Sequence, residues 1–152
     1  MVSCISSVVL IVTRKGEGGI EYLLQKRQNT GYMDDYWDFG VSGHVEQGES
    51  PMEAILRETE EEIGIVLGHS DIKFAIKVHQ KNLQNSSYIH TYFITDLKEG
   101  KVKINDKEKI SELKWFSFND LPTNLIKDRR IALYEYMKGN SSLELTDVNP
   151  ML

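Results

Sequence analysis

Residues 43–65 read GHVEQGESPMEAILRETEEEIGI and carry the strongest structural signals in the chain. Ser50 is a residue type that caps helix N-termini, and Pro51 suits the first helical position because its φ angle is already helical. Glu53, three residues after Ser50, completes a capping box, in which each side chain bonds the other residue's backbone N–H. Gly64 supplies the left-handed residue on which many helices end. The pattern therefore predicts a helix between Ser50 and Gly64.

Three carboxylates crowd one face of this predicted helix. At about 100° per residue, Glu61 and Glu62 lie within about 60° of Glu58, one on each side of it. The apolar stripe beside them consists of Met52, Ile55, Leu56, Thr59 and Ile63. Like charges at these spacings repel each other by a few tenths of a kcal/mol per pair. A hard divalent cation would account for the crowding, since Mg²⁺ and Mn²⁺ prefer oxygen ligands. The alternative is a solvated acidic face, the usual meaning of a charge run.

The spacing of these residues resembles the signature of the Nudix hydrolase family, G-x5-E-x7-R-E-U-x-E-E-x-G-U, in which U is apolar. All seven fixed letters are present, as Gly43, Glu49, Arg57, Glu58, Glu61, Glu62 and Gly64. A chance match is on the order of 10⁻⁹ per starting position. Thr59 departs from the first U position, although its methyl group can still pack. Residues 40–43, GVSG, replace the Pro-Gly-Gly of many relatives, which bears on the subgroup and not on membership.

The resemblance covers most of the chain and implies an α+β fold, an α/β/α sandwich with a mixed β-sheet flanked by helices. The alternation of β-rich and helical segments agrees with it. Strands are predicted at residues 5–13, 20–27, 72–78, 87–97 and 110–118, and a second helix at 125–138. We expect a single Nudix hydrolase domain over residues 1–140. Residues 141–152 are expected to be a loosely held C-terminal tail.

The chemistry that the resemblance implies is hydrolysis of a nucleoside diphosphate linked to another group X. Matched by position, Glu58, Glu61 and Glu62 would be metal-binding carboxylates, and Gly43 would add its backbone carbonyl. The implied cofactor is Mg²⁺, or Mn²⁺ in its place. Glu58 or a downstream residue would take a proton from the attacking water. The implied catalytic set is Glu58, Glu61 and Arg57. Arg57 would tie the helix to the preceding loop, and the alternative is an ordinary surface ion pair.

Substrate recognition has to come from outside the signature. Arg27, at the end of a predicted strand, and His44, inside the signature, are candidates for contacting phosphate oxygens. For Arg27 the alternative is a solvated strand end. Tyr36 belongs to an aromatic cluster whose faces can stack on a nucleobase. The other members of the cluster are Tyr32, Trp37 and Phe39, of which Trp37 and Phe39 are favoured as core residues. Asn124 would bond a purine edge, as an asparagine near that place does in MutT-like relatives.

An additional acid from beyond the signature is often recruited in the family. The candidates in this chain are Glu108 and Glu112, in the segment before Trp115. An ordinary surface charge is the alternative for both, and it is the commoner role of a glutamate.

Composition narrows the expected partners and compartment. Eighteen Lys and Arg against 23 Asp and Glu give a net charge of −5, which argues against nucleic-acid binding through a broad basic face. The single cysteine, Cys4, precludes an internal disulfide framework and fits a reducing compartment. The apolar run at residues 8–12 is far shorter than a membrane span needs. We therefore expect a cytoplasmic protein, a monomer or a homodimer, that binds a small-molecule nucleotide and no membrane.

The sequence is compatible with several activities. The favoured one is a MutT-like pyrophosphohydrolase that converts nucleoside triphosphates to monophosphate and pyrophosphate. The alternative within the family is hydrolysis of ADP-ribose or another nucleoside diphosphate derivative. An isopentenyl diphosphate isomerase would need a cysteine in the cleft, and the chain offers only Cys4, at its N-terminus. A non-catalytic nucleotide sensor is disfavoured because the whole carboxylate set is present.

Overall fold

The computed structural model describes residues 3–81, 86–98 and 101–146 of the 152-residue chain. The strands in these ranges are β1 Ser3–Gly16, β2 Gly19–Arg27, β3 Trp37–Phe39, β4 Val41–His44, β5 Lys73–Lys81, β6 Ser86–Asp96, β7 Ile110–Ser117 and β8 Ser142–Thr146. The α-helices are α1 Pro51–Ile63 and α2 Lys127–Met137, and two short 3₁₀ helices span His69–Asp71 and Phe118–Asp120. None of the helices in the described ranges has the length and apolar character needed to cross a membrane.

Strand β1 lies at the centre of the fold and sends side chains to both faces of the sheet. Successive side chains of a strand point to opposite faces. Val8, Leu10 and Val12 accordingly pack on the face covered by α1, while Val9 and Ile11 pack on the face covered by α2. All five side chains are buried. The sheet is therefore sandwiched between the two helices, which confirms the predicted α/β/α architecture.

The described strands form one mixed sheet. Its main order is β3-β2-β1-β6-β5-β8, with β4 also paired to β1 and β7 also paired to β2. The β1–β6 and β5–β8 pairs are parallel, and the other pairs are antiparallel. The middle of β1, residues 7–10, borders β4, and its C-terminal end borders β2. The predicted mixed sheet is confirmed.

The sheet splits where the chain passes from β3 to β4. Strand β3 pairs with β2, whereas β4 pairs with β1, and Gly40 lies between them. Gln25 of β2 is buried at this point. Its amide donates to the carbonyls of Phe39 and Gly40, each at 3.1 Å, and to a carboxylate oxygen of Glu62 at 2.9 Å. These hydrogen bonds satisfy the buried amide, and they connect the β3–β4 junction to helix α1.

Helix α1 has the ends that its sequence predicts. The backbone N–H of Glu53 donates to Ser50 Oγ at 3.1 Å, and the N–H of Ser50 donates to Glu53 Oε1 at 3.1 Å. Gly64 adopts the left-handed conformation, with φ of 71°, and its N–H donates to the Glu60 carbonyl. The capping box and the glycine stop are both confirmed, and they fix which residues of α1 face the sheet.

The expectation of a loose tail from residue 141 onward is wrong for residues 142–146. These residues form β8, which adds to the edge of the sheet in parallel with β5. Leu145 is buried and belongs to the core on the α2 side, and Leu143 packs against it. Burial of these two leucines offsets the entropy lost on ordering the segment. Residues 147–152, the rest of the predicted tail, lie outside the described residues.

Candidate active site

Two carboxylates of α1 meet at the base of a cleft. Glu58 is 7% exposed and Glu62 is 3% exposed, and both line the cleft together with Gly43 of β4. The Glu58 carboxylate lies against the α-carbon of Gly43, so closely that a Cβ there would meet Glu58 Oε1 at 2.5 Å. Only glycine at position 43 leaves room for this carboxylate. The fixed spacing between Gly43 and Glu58 in the signature thus has a steric meaning in this chain.

The pair is electrostatically costly without a cation. Burial raises the pKa of Glu62 well above its ordinary value, and the hydrogen bond and negative charge of Glu58 raise it further. Gln25 and the N–H of Ser42 donate to Glu62 and partly oppose this rise. Two buried carboxylates in contact favour sharing a proton or holding a positive ion between them.

Arg57 forms ion pairs with three glutamates of the signature, Glu49, Glu58 and Glu61. Its guanidinium forms a two-pronged ion pair with Glu49, at 2.7 and 2.9 Å, and donates to Glu58 at 2.9 Å. It also contacts Glu61 at 3.2 Å and the carbonyl of His44 at 3.2 Å. The hydrogen bonds that Arg57 donates lower the pKa of Glu49 to about 2, and the same bonds to the Glu49 carboxylate raise the pKa of Arg57. Arg57 therefore does join α1 to the preceding loop.

The donor set suits a hard divalent cation, although its members converge only in part. Glu58 and Glu62 supply oxygens side by side near Gly43, and oxygen is the donor that Mg²⁺ and Mn²⁺ prefer. Glu61 is more exposed, 57% for its side chain, and is paired with Arg57. Accordingly, within residues 3–81, 86–98 and 101–146 no three His, Cys, Asp or Glu side chains are grouped closely enough to hold a metal ion. Glu61 would have to leave Arg57 to join Glu58 and Glu62.

The cleft has a volume of about 830 Å³, which is the size of a small-molecule site. Two arginines, Arg27 and Arg129, line it together with His44. Both arginines are held by Asp38, a fully buried carboxylate of β3, at 3.2 Å for Arg27 and 2.7 Å for Arg129. Burial opposes ionisation of Asp38, but Arg129 and Arg27 outweigh it and hold its pKa below the ordinary value. The three residues together carry one net positive charge beside the carboxylates.

Ser42 connects this arginine cluster to the carboxylate pair. Its hydroxyl donates to Asp38 at 2.9 Å, and its backbone N–H donates to Glu62 at 3.4 Å. A single residue of β4 therefore contacts both Glu62 and the aspartate that holds the two arginines.

A second group of hydrogen-bonded polar side chains, from Ser7 through His90 to Gln80, also lines the cleft. Ser7 of β1 bonds His90 Nδ1, and His90 Nε2 bonds the side-chain oxygen of Gln80 at 3.2 Å. Burial and the nearby Arg129 lower the pKa of His90 to about 3, so its imidazole is neutral at pH 7. Tyr88 stacks on the His90 ring, with centroids 5.5 Å apart.

Six residues predicted from the sequence do not line the cleft. Two of them, Arg57 and Glu61, pair with each other on α1. The other four are Asn124, Tyr36, Glu112 and Glu108. The side-chain amide of Asn124 donates to the Asp35 carbonyl at 3.1 Å, so it holds a loop. Tyr36 is half-buried, and its carbonyl accepts from the N–H of Arg27. Glu112 is paired with Lys26 at 3.6 Å, and Glu108 is exposed. Arg27, His44, Gly43, Glu58 and Glu62 do line it. Of the aromatic cluster, Trp37 and Phe39 are core residues as favoured, and Tyr32 lines the cleft.

Sequence reasoning missed the residues that organise the cleft from outside the signature. They are Gln25, Asp38, Asp128 and Arg129. Asp38 carries a detectable signal, since it interrupts an apolar strand in Trp37-Asp38-Phe39. Such a residue is buried only when it has partners. Gln25 carries no signal of this kind, because Lys26 and Arg27 follow it and it looks like part of a polar strand end. Asp128 and Arg129 look like ordinary residues of a helix start and carry no such signal.

Comparison with known proteins settles the family. A family model described as the NUDIX domain matches residues 5–137. The chain belongs to the NUDIX family. This confirms the resemblance found in residues 43–65. NUDIX hydrolases act on pyrophosphate bonds and generally use divalent metal ions, which agrees with the oxygen donors at Glu58 and Glu62.

Individual relatives of this NUDIX chain are similar over different lengths. An RNA pyrophosphohydrolase from a Nitratiruptor species is 30% identical over 112 residues, which are 67% of this chain and 70% of that protein. The m7GpppN-mRNA hydrolase dcap-2 of Caenorhabditis elegans is 30% identical over 108 residues, which are 68% of this chain but only 12% of that protein. The crystal structure of a MutT NUDIX hydrolase from Burkholderia pseudomallei superimposes with a TM-score of 0.73 at 25% identity, covering 87% of this chain and 97% of that one.

Proposed function

We propose that this NUDIX chain is a Mg²⁺-dependent pyrophosphohydrolase that converts nucleoside triphosphates to nucleoside monophosphates and pyrophosphate. The observation that carries the proposal is the buried Glu58–Glu62 pair, which faces the same cleft as Arg27 and Arg129. The pair can hold a hard cation, and the arginines can hold phosphate oxygens. The volume of about 830 Å³ suits a single nucleotide.

Each of the residues around the cleft has a distinct task in this reaction. Gly43, Glu58 and Glu62, with Glu61 once it leaves Arg57, would hold Mg²⁺. When bound, the ion would neutralise charge on the polyphosphate and so make phosphorus open to attack by water. Arg27 and Arg129 orient the phosphates while Asp38 fixes their guanidinium planes. Glu58, or a carboxylate downstream of it, would accept a proton from the attacking water. Arg57 keeps α1 and the preceding loop in register.

The test is release of pyrophosphate from a panel of nucleoside triphosphates with Mg²⁺. The wild-type chain is expected to release pyrophosphate and not single phosphate. Glu58→Gln and Glu61→Gln should each abolish Mg²⁺-dependent turnover while the circular dichroism spectrum stays unchanged. Glu60→Gln is the matched control, because Glu60 lies exposed on the same helix. Full activity of both active-site variants, or equal loss in the control, would refute the assignment.

A second candidate substrate is the 5′-triphosphate end of an RNA. It is favoured by the name of the Nitratiruptor relative, which is 30% identical over 70% of that protein. The net charge of −5 favours the free nucleotide instead, since RNA binding is dominated by cationic side chains. The same panel should therefore contain a 5′-triphosphorylated oligonucleotide and ADP-ribose. A kcat/KM higher for either of these than for every free triphosphate would replace the proposed substrate and keep the hydrolase assignment.

A further inference from the structure

Lys109 adds a cation to the cleft besides the two arginines. It lies in the loop just before β7 and lines the cleft together with Arg27 and Glu58. The family resemblance predicted an additional acid in this part of the chain, but neither Glu108 nor Glu112 lines the cleft. The loop instead presents an ammonium group, which donates three hydrogen bonds and accepts none. Such a group binds an anion and not a metal ion.

The loop that carries Lys109 is anchored at both ends to other parts of the cleft. At one end, the backbone N–H of Asn105 donates to the carbonyl of Glu62 at 2.9 Å. At the other end, the backbone N–H of Gln28 donates to the carbonyl of Lys109 at 2.9 Å. Glu62 belongs to the carboxylate pair, and Gln28 directly follows Arg27. The backbone of Lys109 is therefore fixed relative to both the carboxylates and an arginine.

Two side chains hold the same loop without involving the ammonium group of Lys109. The amide of Gln28 donates to the Lys107 carbonyl at 2.9 Å, and that of Asn29 donates to the Glu108 carbonyl at 3.2 Å. Three consecutive carbonyls, those of residues 107–109, are thus bound by residues 28 and 29. Because the backbone supplies all these acceptors, replacing the Lys109 side chain leaves the loop in place.

The ammonium group of Lys109 is available to a ligand. Its side chain is 60% exposed, and its ion pair with Asp106 spans 4.0 Å, the outer limit of such a contact. Exposed pairs of this kind contribute little free energy. Arg27 and Arg129, in contrast, are held by the buried carboxylate of Asp38 at 3.2 and 2.7 Å. The flexible stem of a lysine also lets its charge follow a phosphate group that moves.

We propose that Lys109 binds the terminal phosphate of the substrate's polyphosphate chain and makes the site prefer triphosphates to diphosphates. This inference rests on the proposed nucleotide-hydrolase function. A terminal phosphate carries a charge of about −1.5 to −2 at pH 7 and has three acceptor oxygens. Asp38 neutralises one of the two arginine charges, so this phosphate needs a further cation. Lys109 supplies that cation at the edge of the same cleft.

The first test compares a nucleoside triphosphate with the corresponding diphosphate. In Lys109→Gln the KM for the triphosphate should rise about 10-fold, the effect of losing a hydrogen bond between charged groups. The inhibition constant of the diphosphate, which has no third phosphate, should stay the same. A merely structural role of Lys109 would weaken both ligands alike. Equal changes in the two constants, or no change in either, would overturn the proposal.

Two further variants separate a direct contact from long-range charge. Lys109→Arg keeps the charge and should retain most of the affinity for the triphosphate. Lys107→Gln is the matched control, because Lys107 is exposed on the same loop and does not line the cleft. It removes the same charge and should leave the KM unchanged. A loss in Lys107→Gln equal to that in Lys109→Gln would assign the effect to net charge and refute the contact.

Failure of the hydrolase assignment is measured separately. Calorimetric titration of inorganic triphosphate in EDTA needs neither metal nor turnover nor a particular base. Lys109→Gln should bind this anion about 10-fold more weakly than the wild-type chain and the Lys107→Gln control. This difference without hydrolysis of any nucleotide would refute the proposed reaction and keep Lys109 as a phosphate-binding residue. Equal binding to the wild-type chain and Lys109→Gln, or no binding to either, would refute the role of Lys109.

Discussion

Replacing Gly43 with alanine tests the steric link between β4 and the carboxylates of α1. The new Cβ would lie 2.5 Å from Glu58 Oε1, whereas ordinary van der Waals contact begins at about 3.4 Å. The carboxylate must therefore move by about 0.9 Å. If Glu58 holds Mg²⁺ as proposed, a shift of this size would remove a ligand, because Mg²⁺ tolerates little distortion of its near-octahedral shell at about 2.0–2.1 Å. Misplacing a reacting group by about 1 Å can cost on the order of 100-fold in rate.

The assay for Gly43→Ala is the Mg²⁺ dependence of pyrophosphate release, run beside thermal unfolding. We expect kcat/KM to fall by about 100-fold. The melting temperature should stay within a few degrees, because the displaced group is the end of a flexible side chain. Gly18→Ala is the matched control, since a Cβ at Gly18 meets no atom within 4 Å. Wild-type Mg²⁺ dependence and rate in Gly43→Ala would refute the view that Glu58 must rest against that glycine.

Three further predictions concern stability. Folding raises the pKa of Glu62, so the metal-free protein should lose stability as the pH rises above about 4.5 toward the raised pKa. Melting curves in EDTA should show this loss in the wild-type chain and not in Glu62→Gln. The same pH dependence in both proteins would contradict the prediction. Asp38→Asn leaves two arginines without their buried charged partner and should lower the free energy of unfolding in urea by about 3–5 kcal/mol. A decrease of less than about 1 kcal/mol would refute the stabilising role of these ion pairs. Leu145→Ala should lower the free energy of unfolding by about 2 kcal/mol in urea, because it removes a buried side chain. An unchanged free energy of unfolding, as at an exposed leucine, would show that β8 does not pack on the core.

Structural features of this protein can be predicted from its sequence when the interacting residues lie close together along the chain. The ends of α1 and the juxtaposition of Glu58 and Glu62 on it follow from helix geometry, because all the residues concerned lie within a few turns. The layers follow from the signature and from the apolar strands. Those features are local, and the structure confirms them.

Contacts across the sheet could not be predicted in this way. Arg129 meets Asp38 across 91 positions, and Gln25 meets Glu62 across 37, so both contacts depend on strand register and on where the sheet splits. Asn124 was expected to face a purine, but its amide is taken by a loop carbonyl whose position depends on left-handed residues such as Asp35. Strand β8 was missed although Ser142-Leu143-Glu144-Leu145-Thr146 alternates polar and apolar residues, the pattern of an edge strand.

The six residues from Asp38 to Gly43 serve two sides of the cleft at once. Asp38 fixes the arginines, Ser42 bonds both Asp38 and Glu62, and Gly43 makes room for Glu58. Tyr32 and Asp128 stand apart from this segment, on a loop and on another helix. Substitution of Tyr32 or Asp128 would therefore leave residues 38–43 and their contacts with Glu58 and Glu62 in place.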